Sequence, residues 1–148
     1  IIGIMSRSGL GNDSRISWDE YFMSTAELIA RRSSCSKLNV GCVLVKDKRI
    51  IATGYNGHIP GQPHISIKRN GHEVATIHAE QNAICDCASR GIQTRGAVAF
   101  ITHYPCINCF KFLLASGVKE IVYKNDYKNE NYIGTLVREG DILLRKYE

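Results

Sequence analysis

His78 and Glu80 stand two residues apart in "TIHAEQNAI", and Cys106 and Cys109 stand three apart in "YPCINCF". An imidazole and two thiols are a donor set that zinc favours, and thiols at i and i+3 of a helix lie one turn apart on one face, within reach of a single ion. Three protein ligands leave one corner of a tetrahedron open, the feature that separates catalytic from structural zinc. Glu80 can face a water in that corner without binding the metal, and a carboxylate so placed carries protons. Bound zinc lowers the pKa of its water from about 15.7 to near 7, which makes hydroxide available at neutral pH. Taken singly the residues have plainer readings. His78 fits a hydrogen-bonded core histidine, Glu80 a charge favoured at a helix start, and Cys106 with Cys109 a pair of thiols packed beside Phe110. A structural zinc would need a fourth ligand such as Cys85 or Cys87; those two, like Cys42, read as packing thiols. The joint order His78-x-Glu80, then Pro105-Cys106 and Cys109, favours the catalytic reading over each of these.

The elements that must position this set follow from periodicity. "SWDEYFMSTAELIARR" begins with Ser17, has Glu20 three residues on as in a capping box, and puts Trp18, Tyr21, Phe22, Thr25, Leu28 and Ile29 on one face of an amphipathic helix. "NVGCVLVKDKRIIATGYNG" reads as a hairpin with a polar tip at Lys46 to Lys48, and its Gly54 and Gly57 as ordinary turn glycines. Residues 56 to about 73 read as an irregular loop long enough to be functional. "TIHAEQNAICDCASRG" is expected as a helix closed by Gly91, "AVAFIT" as a buried strand, and "PCINCFKFLLASG" as a helix with Pro105 in its first turn and Gly117 past its end. "KEIVY" follows as a strand, "NENYIGTLVREG" as a helix, and Ile142 to Arg145 as a short last strand. Strands alternating with helices imply an α/β sandwich, in which the helix starts near His78 and Pro105 can meet at one edge of the sheet.

With 148 residues, 44% hydrophobic and 22% charged, the chain suits one globular domain with its own core, expected over residues 17–148; residues 1–16 are set aside as an N-terminal extension. Ile1 to Ile4 are too short an apolar run for a signal peptide, and no stretch is long enough to cross a bilayer. The expectation is a cytoplasmic protein with no membrane partner, whose six cysteines are thiols or ligands rather than a disulfide framework. The net charge of +5 is spread along the chain, suiting phosphorylated small molecules; no basic stripe with interleaved aromatics marks a nucleic-acid partner.

The order His-x-Glu … Pro-Cys-x-x-Cys is the signature of zinc-dependent nucleobase deaminases. From about Trp18 to Tyr127 the chain resembles the deoxycytidylate (dCMP) deaminase family, in the zinc-dependent cytidine deaminase-like superfamily. The blocks that carry the likeness are "ARRSSCSKLNVGC", "GYNGHIPG", "TIHAEQNAI" and "PCINCFKFLLASGVKEIVY". The resemblance implies a three-layer α/β/α sandwich around a central five-stranded mixed sheet. It implies hydrolytic deamination of dCMP to dUMP and ammonia, supplying thymidylate synthesis, with Zn2+ held by His78, Cys106 and Cys109 and Glu80 as proton carrier. It makes Asn56 a sugar contact, puts Arg32 and Ser33 near the phosphate, and sets Tyr127 and Ala79 at the substrate. It further implies a homohexamer regulated by dCTP and dTTP through a subunit-interface site that includes Gly57 and His64, with Mg2+ accompanying triphosphate effectors. Viral members of this type also accept dCTP. A tRNA adenosine deaminase shares the chemistry, but the "GYNG" block argues against it; a catalytically inactive zinc or nucleotide-binding module would have no use for Glu80. Two departures stand out. Ile65 and Glu73 occupy positions where relatives carry cysteines for a second, structural zinc, which leaves Cys35 with only His64, His72 and Glu73 as companions, so a second ion is not expected. Tyr104 replaces a small residue before Pro105, where a phenol can reshape the base pocket or stack on a ligand.

Overall fold

The computed structural model describes residues 14–148, so the extension assigned to 1–16 lies outside the described residues up to position 13. In chain order the elements are α1 (Trp18–Ala30), the hairpin of β1 (Gly41–Lys46) and β2 (Arg49–Tyr55), and four two-residue strands, β3 (Gly57–His58), β4 (Lys68–Arg69), β5 (His72–Glu73) and β6 (Thr76–Ile77). Then come α2 (Ala79–Arg90), β7 (Val98–His103), α3 (Ile107–Ala115), β8 (Glu120–Asn125), α4 (Asn131–Glu139) and β9 (Leu143–Lys146). The main sheet has the order β2-β1-β7-β8-β9. β1 runs antiparallel to β2 and β7, whereas β8 is parallel to β7 and to β9, so the five strands form a mixed sheet.

Strand alternation sends Val43 and Val45 to one face, where they meet Phe22, Met23 and Ala26 of α1 together with Phe100 and Val122. Cys42 and Leu44 point the other way, into a larger core with Ala83 and Cys87 of α2, Phe110 and Leu113 of α3 and Ile133 of α4. The result is the three-layer α/β/α sandwich.

Local chemistry explains the differences from expectation. Ser17 caps α1 by accepting the Glu20 N–H at 3.0 Å. The buried face, however, is Phe22, Met23, Ala26 and Ala30, while Trp18, Tyr21 and Leu28 are exposed. A Cβ on Gly41 would lie 1.9 Å from the Ala26 carbonyl oxygen and 2.8 Å from the Ala30 nitrogen, so helix and strand backbones touch there and leave room only for small residues. Ala26 and Ala30 therefore face the strand, and Phe22 and Met23 fill the core of that face beside them. Pro105 lies outside α3, because the N-cap is Cys106; it is buried just ahead of the helix. Cys85 is exposed rather than packed, while Cys42 and Cys87 are buried. The stretch from 56 to 73 is less irregular than its composition suggests: β3 pairs with β6, and β4 pairs with β5 across Asn70 (φ 53°) and Gly71 (φ 79°), a two-residue turn with both central residues left-handed.

Gly54 is no turn residue. It lies inside β2, where an added Cβ would sit 2.3 Å from the Ala79 oxygen and 2.6 Å from the Ala83 nitrogen. The first turn of α2 thus rests directly on the β2 backbone, and Asn82 Nδ2 donates to the Tyr55 oxygen at 3.1 Å to hold it there. Gly54→Ala is expected to cost about 1–3 kcal/mol, the usual range for overpacking, as a lowered urea midpoint at unchanged slope. An unchanged midpoint would show that α2 does not need this contact.

Candidate active site

The starts of α2 and α3 converge, and His78 and Cys106 each stand at an N-cap. His78 is the N-cap of α2, and its backbone N–H donates to Gln81 Oε1 at 2.8 Å, so Gln81 closes the helix end and the imidazole is left to point elsewhere. Cys106 is the N-cap of α3, where its sulfur accepts the Cys109 N–H at 3.4 Å. His78 Nδ1 lies 3.2 Å from Cys109 Sγ and 3.6 Å from Cys106 Sγ. Among the described residues this is the one group of three or more His, Cys, Asp or Glu side chains whose ligating atoms all lie within 4.8 Å of one another.

The proton distribution fits a cation at this point. The Cys106 thiol is pulled down to about 4, first by the hydrogen bond from the Cys109 thiol and further by His78 and the Cys109 N–H. Cys109 is pushed far up by that same bond and by burial. His78 is raised, chiefly by its bond to Cys106. One thiolate thus gathers protons from both neighbours, positive charge that a divalent ion can replace. One imidazole nitrogen and two sulfurs are a zinc donor set with a corner to spare, so the residues fit the metal.

Glu80, in the first turn of α2, is only 4% exposed. Burial pushes its carboxyl up to about 7, against the opposing pull of its own backbone N–H and of His78. A carboxyl poised near neutrality beside a metal-binding trio is suited to carry protons both ways.

His78, Glu80 and Cys106 open onto a cavity of about 650 Å3, of a size for a small-molecule ligand. Of the residues expected at a substrate, Ala79, Asn56 and Tyr127 line it, and Arg32 and Ser33 do not. The Arg32 guanidinium lies over the Tyr55 ring, 5.6 Å from its centre, and the Ser33 hydroxyl accepts the Cys35 N–H at 3.3 Å. The neighbouring Ser34, Cys35, Ser36 and Lys37 reach the cavity instead. Asn56 has its amide engaged with the backbone, accepting the Val40 N–H at 2.8 Å and donating to the Leu38 oxygen at 2.7 Å, so it shapes the wall. Gly57 and His64 lie off the cavity; His64 stacks on His58, ring centres 4.9 Å apart. Cys35, His64, His72 and Glu73 are not drawn together as a second ligand cluster, and Glu73 instead accepts from the Ile67 and Ala75 N–H groups at 2.9 and 3.0 Å and from the Ser66 hydroxyl.

Two cavity residues follow from contacts distant in sequence. Tyr104 is buried, packed edge-on to Tyr123 with centres 4.9 Å apart, and forms part of the wall. His103 Nδ1 lies 2.7 Å from the Thr102 hydroxyl, which already accepts the Gly41 N–H at 3.1 Å. A hydroxyl can accept two hydrogen bonds and donate one, so either tautomer of His103 satisfies this contact. Burial lowers the His103 pKa, which favours the uncharged ring in the cavity wall, edge-on to Tyr127.

Comparison with known proteins agrees with this geometry. The family described as "Cytidine and deoxycytidylate deaminase zinc-binding region" matches residues 16–125. ComE operon protein 2 of Bacillus subtilis is 43% identical over 138 residues, covering 90% of this chain and 73% of that protein. Deoxycytidylate deaminase of Schizosaccharomyces pombe is 37% identical over 92% of this chain, which spans 46% of the yeast protein's length. Among solved structures, the dCMP deaminase of cyanophage S-TIM5 in complex with dCMP and dUMP superposes with a TM-score of 0.79 at 30% identity, covering 91% of this chain and all of that one. With the His78, Cys106 and Cys109 donor set inside the matched span, the chain belongs to the cytidine and deoxycytidylate deaminase zinc-binding family.

Proposed function

We propose that this protein is a hydrolase that deaminates dCMP to dUMP and ammonia with one Zn2+ held by His78, Cys106 and Cys109. The observation that carries the reading is the buried Glu80 carboxyl beside that trio, at the edge of a cavity sized for a nucleotide. The cyanophage enzyme, bound to dCMP and dUMP, supports the choice of substrate.

When bound, zinc supplies the Lewis acidity that makes water a nucleophile near neutral pH. Glu80 acts as base and then as acid. Its carboxylate takes a proton from the water that adds to the amino-bearing ring carbon, delivers it to the adjacent ring nitrogen, and then carries a second proton to the departing amino group. Water enters as oxygen on the ring and the amino nitrogen leaves as ammonia, so the atoms balance. His78 and Cys106, fixed as helix N-caps, keep the reacting end in register with Glu80. His103 offers a polar ring edge to the cavity without adding charge.

The proposal extends to residues 17–148 as a single cytoplasmic domain assembled as a homohexamer. It includes control by dCTP and dTTP, with Mg2+ on the triphosphates and Gly57 and His64 near the effector. The likeness in "GYNGHIPG" supports that extension, and size-exclusion chromatography with and without dTTP tests it. Substrate choice is tested by ammonia release from dCMP, dCTP, deoxycytidine, CMP and adenosine-containing RNA. dCMP turnover exceeding that of the RNA is the expected result, and preferential RNA turnover would overturn the reading.

A further inference from the structure

One wall of the cavity has no hydrophobic support. Ser66, Lys68, Gly71, His72 and Glu73 line it, and all five belong to the β4–β5 hairpin and its neck. Among the described residues, none from 57 to 77 joins either buried core cluster. Ile65, Ile67 and Val74, the apolar residues that flank the two strands, are 63%, 56% and 42% exposed, so burial does not hold the hairpin in place. A two-stranded hairpin left to itself is marginal in water.

Polar chemistry at the neck takes that role. The Val74 N–H donates to the Ile67 oxygen at 2.8 Å. The Glu73 carboxylate accepts three further bonds, from the Ser66 hydroxyl, from the Ile67 N–H at 2.9 Å and from the Ala75 N–H at 3.0 Å. Ser66 and Ile67 precede β4 and Ala75 follows β5, so one side chain ties both arms together. The Ser66 hydroxyl first, and then the two N–H groups, hold its carboxyl down at about 2, so the clasp is ionised near neutral pH. From Ala75 the chain runs through β6 to His78, whose N–H has its own anchor in Gln81. The clasp therefore bears on the wall, and the metal-binding trio is held independently of it.

We propose that Glu73 is a positioning residue for substrate binding, whose carboxylate closes the neck of the 66–75 hairpin and so holds that wall of the catalytic cavity in its binding-competent place. The proposal deepens the dCMP reading and rests on it. The sign of the effect separates this role from a purely electrostatic one. Glu73 brings negative charge to the wall of a cavity that takes an anionic nucleotide, so as a charge alone it weakens binding, and its removal would tighten it. As a clasp, its removal leaves the wall in place for only part of the time, and apparent affinity falls by that fraction.

The test is steady-state kinetics of the zinc-loaded protein with dCMP, in the parent and in Glu73→Ala, Glu73→Gln and Ser66→Ala, with metal content and limited trypsin digestion of the same preparations. Lys68 and Arg69, both exposed in β4, supply the cleavage sites. Glu73→Ala should raise KM about tenfold or more, the scale of losing hydrogen bonds to a charged group, while kcat and zinc content are kept. Cleavage after Lys68 or Arg69 should quicken in parallel, because the open neck exposes those bonds. Glu73→Gln keeps the shape and a neutral acceptor, and Ser66→Ala removes one donor of the three, so both should fall between parent and Glu73→Ala. A KM that is unchanged or lower in Glu73→Ala overturns the proposal, and so does a rise that comes with loss of zinc or of kcat, which places the effect at the metal. If Glu73→Ala does not fold, Ser66→Ala decides: a raised KM with faster cleavage supports the clasp, and parent-like values overturn it. A parent that does not turn over dCMP removes the substrate reading and the proposal together, whereas an active parent with unchanged KM in all three variants sinks the proposal alone.

Discussion

Glu80→Gln should keep its zinc and lose dCMP deamination by about a thousandfold or more, in line with the 100- to 10,000-fold that a positioned acid–base group contributes. The substitution preserves shape and hydrogen-bonding capacity but cannot move a proton, so kcat should fall with little change in KM. Metal content and steady-state rates on the same preparation check this, and a variant that turns over normally would remove Glu80 from the chemistry. A second signature belongs to the metal-free protein. Burial lifts the Glu80 carboxyl to about 7 from an ordinary 4.5. The folded state therefore holds this proton more tightly than the unfolded state. Its contribution to stability is full below about pH 4.5 and is lost as pH rises through about 7, a loss on the order of 3 kcal/mol. Urea titrations of chelated protein at pH 5 and pH 8 should show that fall in the parent and lack it in Glu80→Gln.

Cys109→Ala should lower zinc affinity by more than about a hundredfold, since even changes in the residues that support a ligand cost ten- to a hundredfold, and activity should disappear with the metal. Cys109 is fully buried and its backbone N–H, which donates to Cys106, survives the substitution, so the cap of α3 is kept while the ligand is lost. Cys85→Ala is the natural contrast. Cys85 carries the same thiol on α2 but points to solvent, and that variant should bind zinc as the parent does. Competition with a chromophoric chelator measures both; retained affinity in Cys109→Ala would break the three-ligand account.

The part of the site legible in the sequence is the part whose geometry is local. His78 and Glu80 share one helix start, and Cys106 and Cys109 share another, so spacing alone puts each pair in place, and the strand and helix alternation brings the two starts together. Residues that depend on distant backbone were harder to read. Asn56 offers an amide that a nucleotide sugar could use, yet that amide serves Leu38 and Val40. Arg32 is the more obvious phosphate ligand by type, but the turn after α1 carries it onto Tyr55 and brings Lys37 to the cavity five residues later. His103 is tied through the Thr102 hydroxyl to Gly41, 61 positions away from Thr102. The face assigned to α1 holds at Phe22 and Ile29 but not at Trp18, Tyr21 and Leu28, because hydrophobicity does not register how closely Gly41 lets the backbones approach. The Asn70-Gly71 pair is a strong hairpin signal, obscured by strands two residues long and fully polar in β4.

The account turns on the donors around one ion, and X-ray absorption at the zinc edge of the purified protein reads them directly. The expected spectrum has two sulfurs at about 2.3 Å, one imidazole nitrogen at about 2.0–2.1 Å and one further light atom. A shell of three or four sulfurs, a shell with none, or no zinc at all would contradict it.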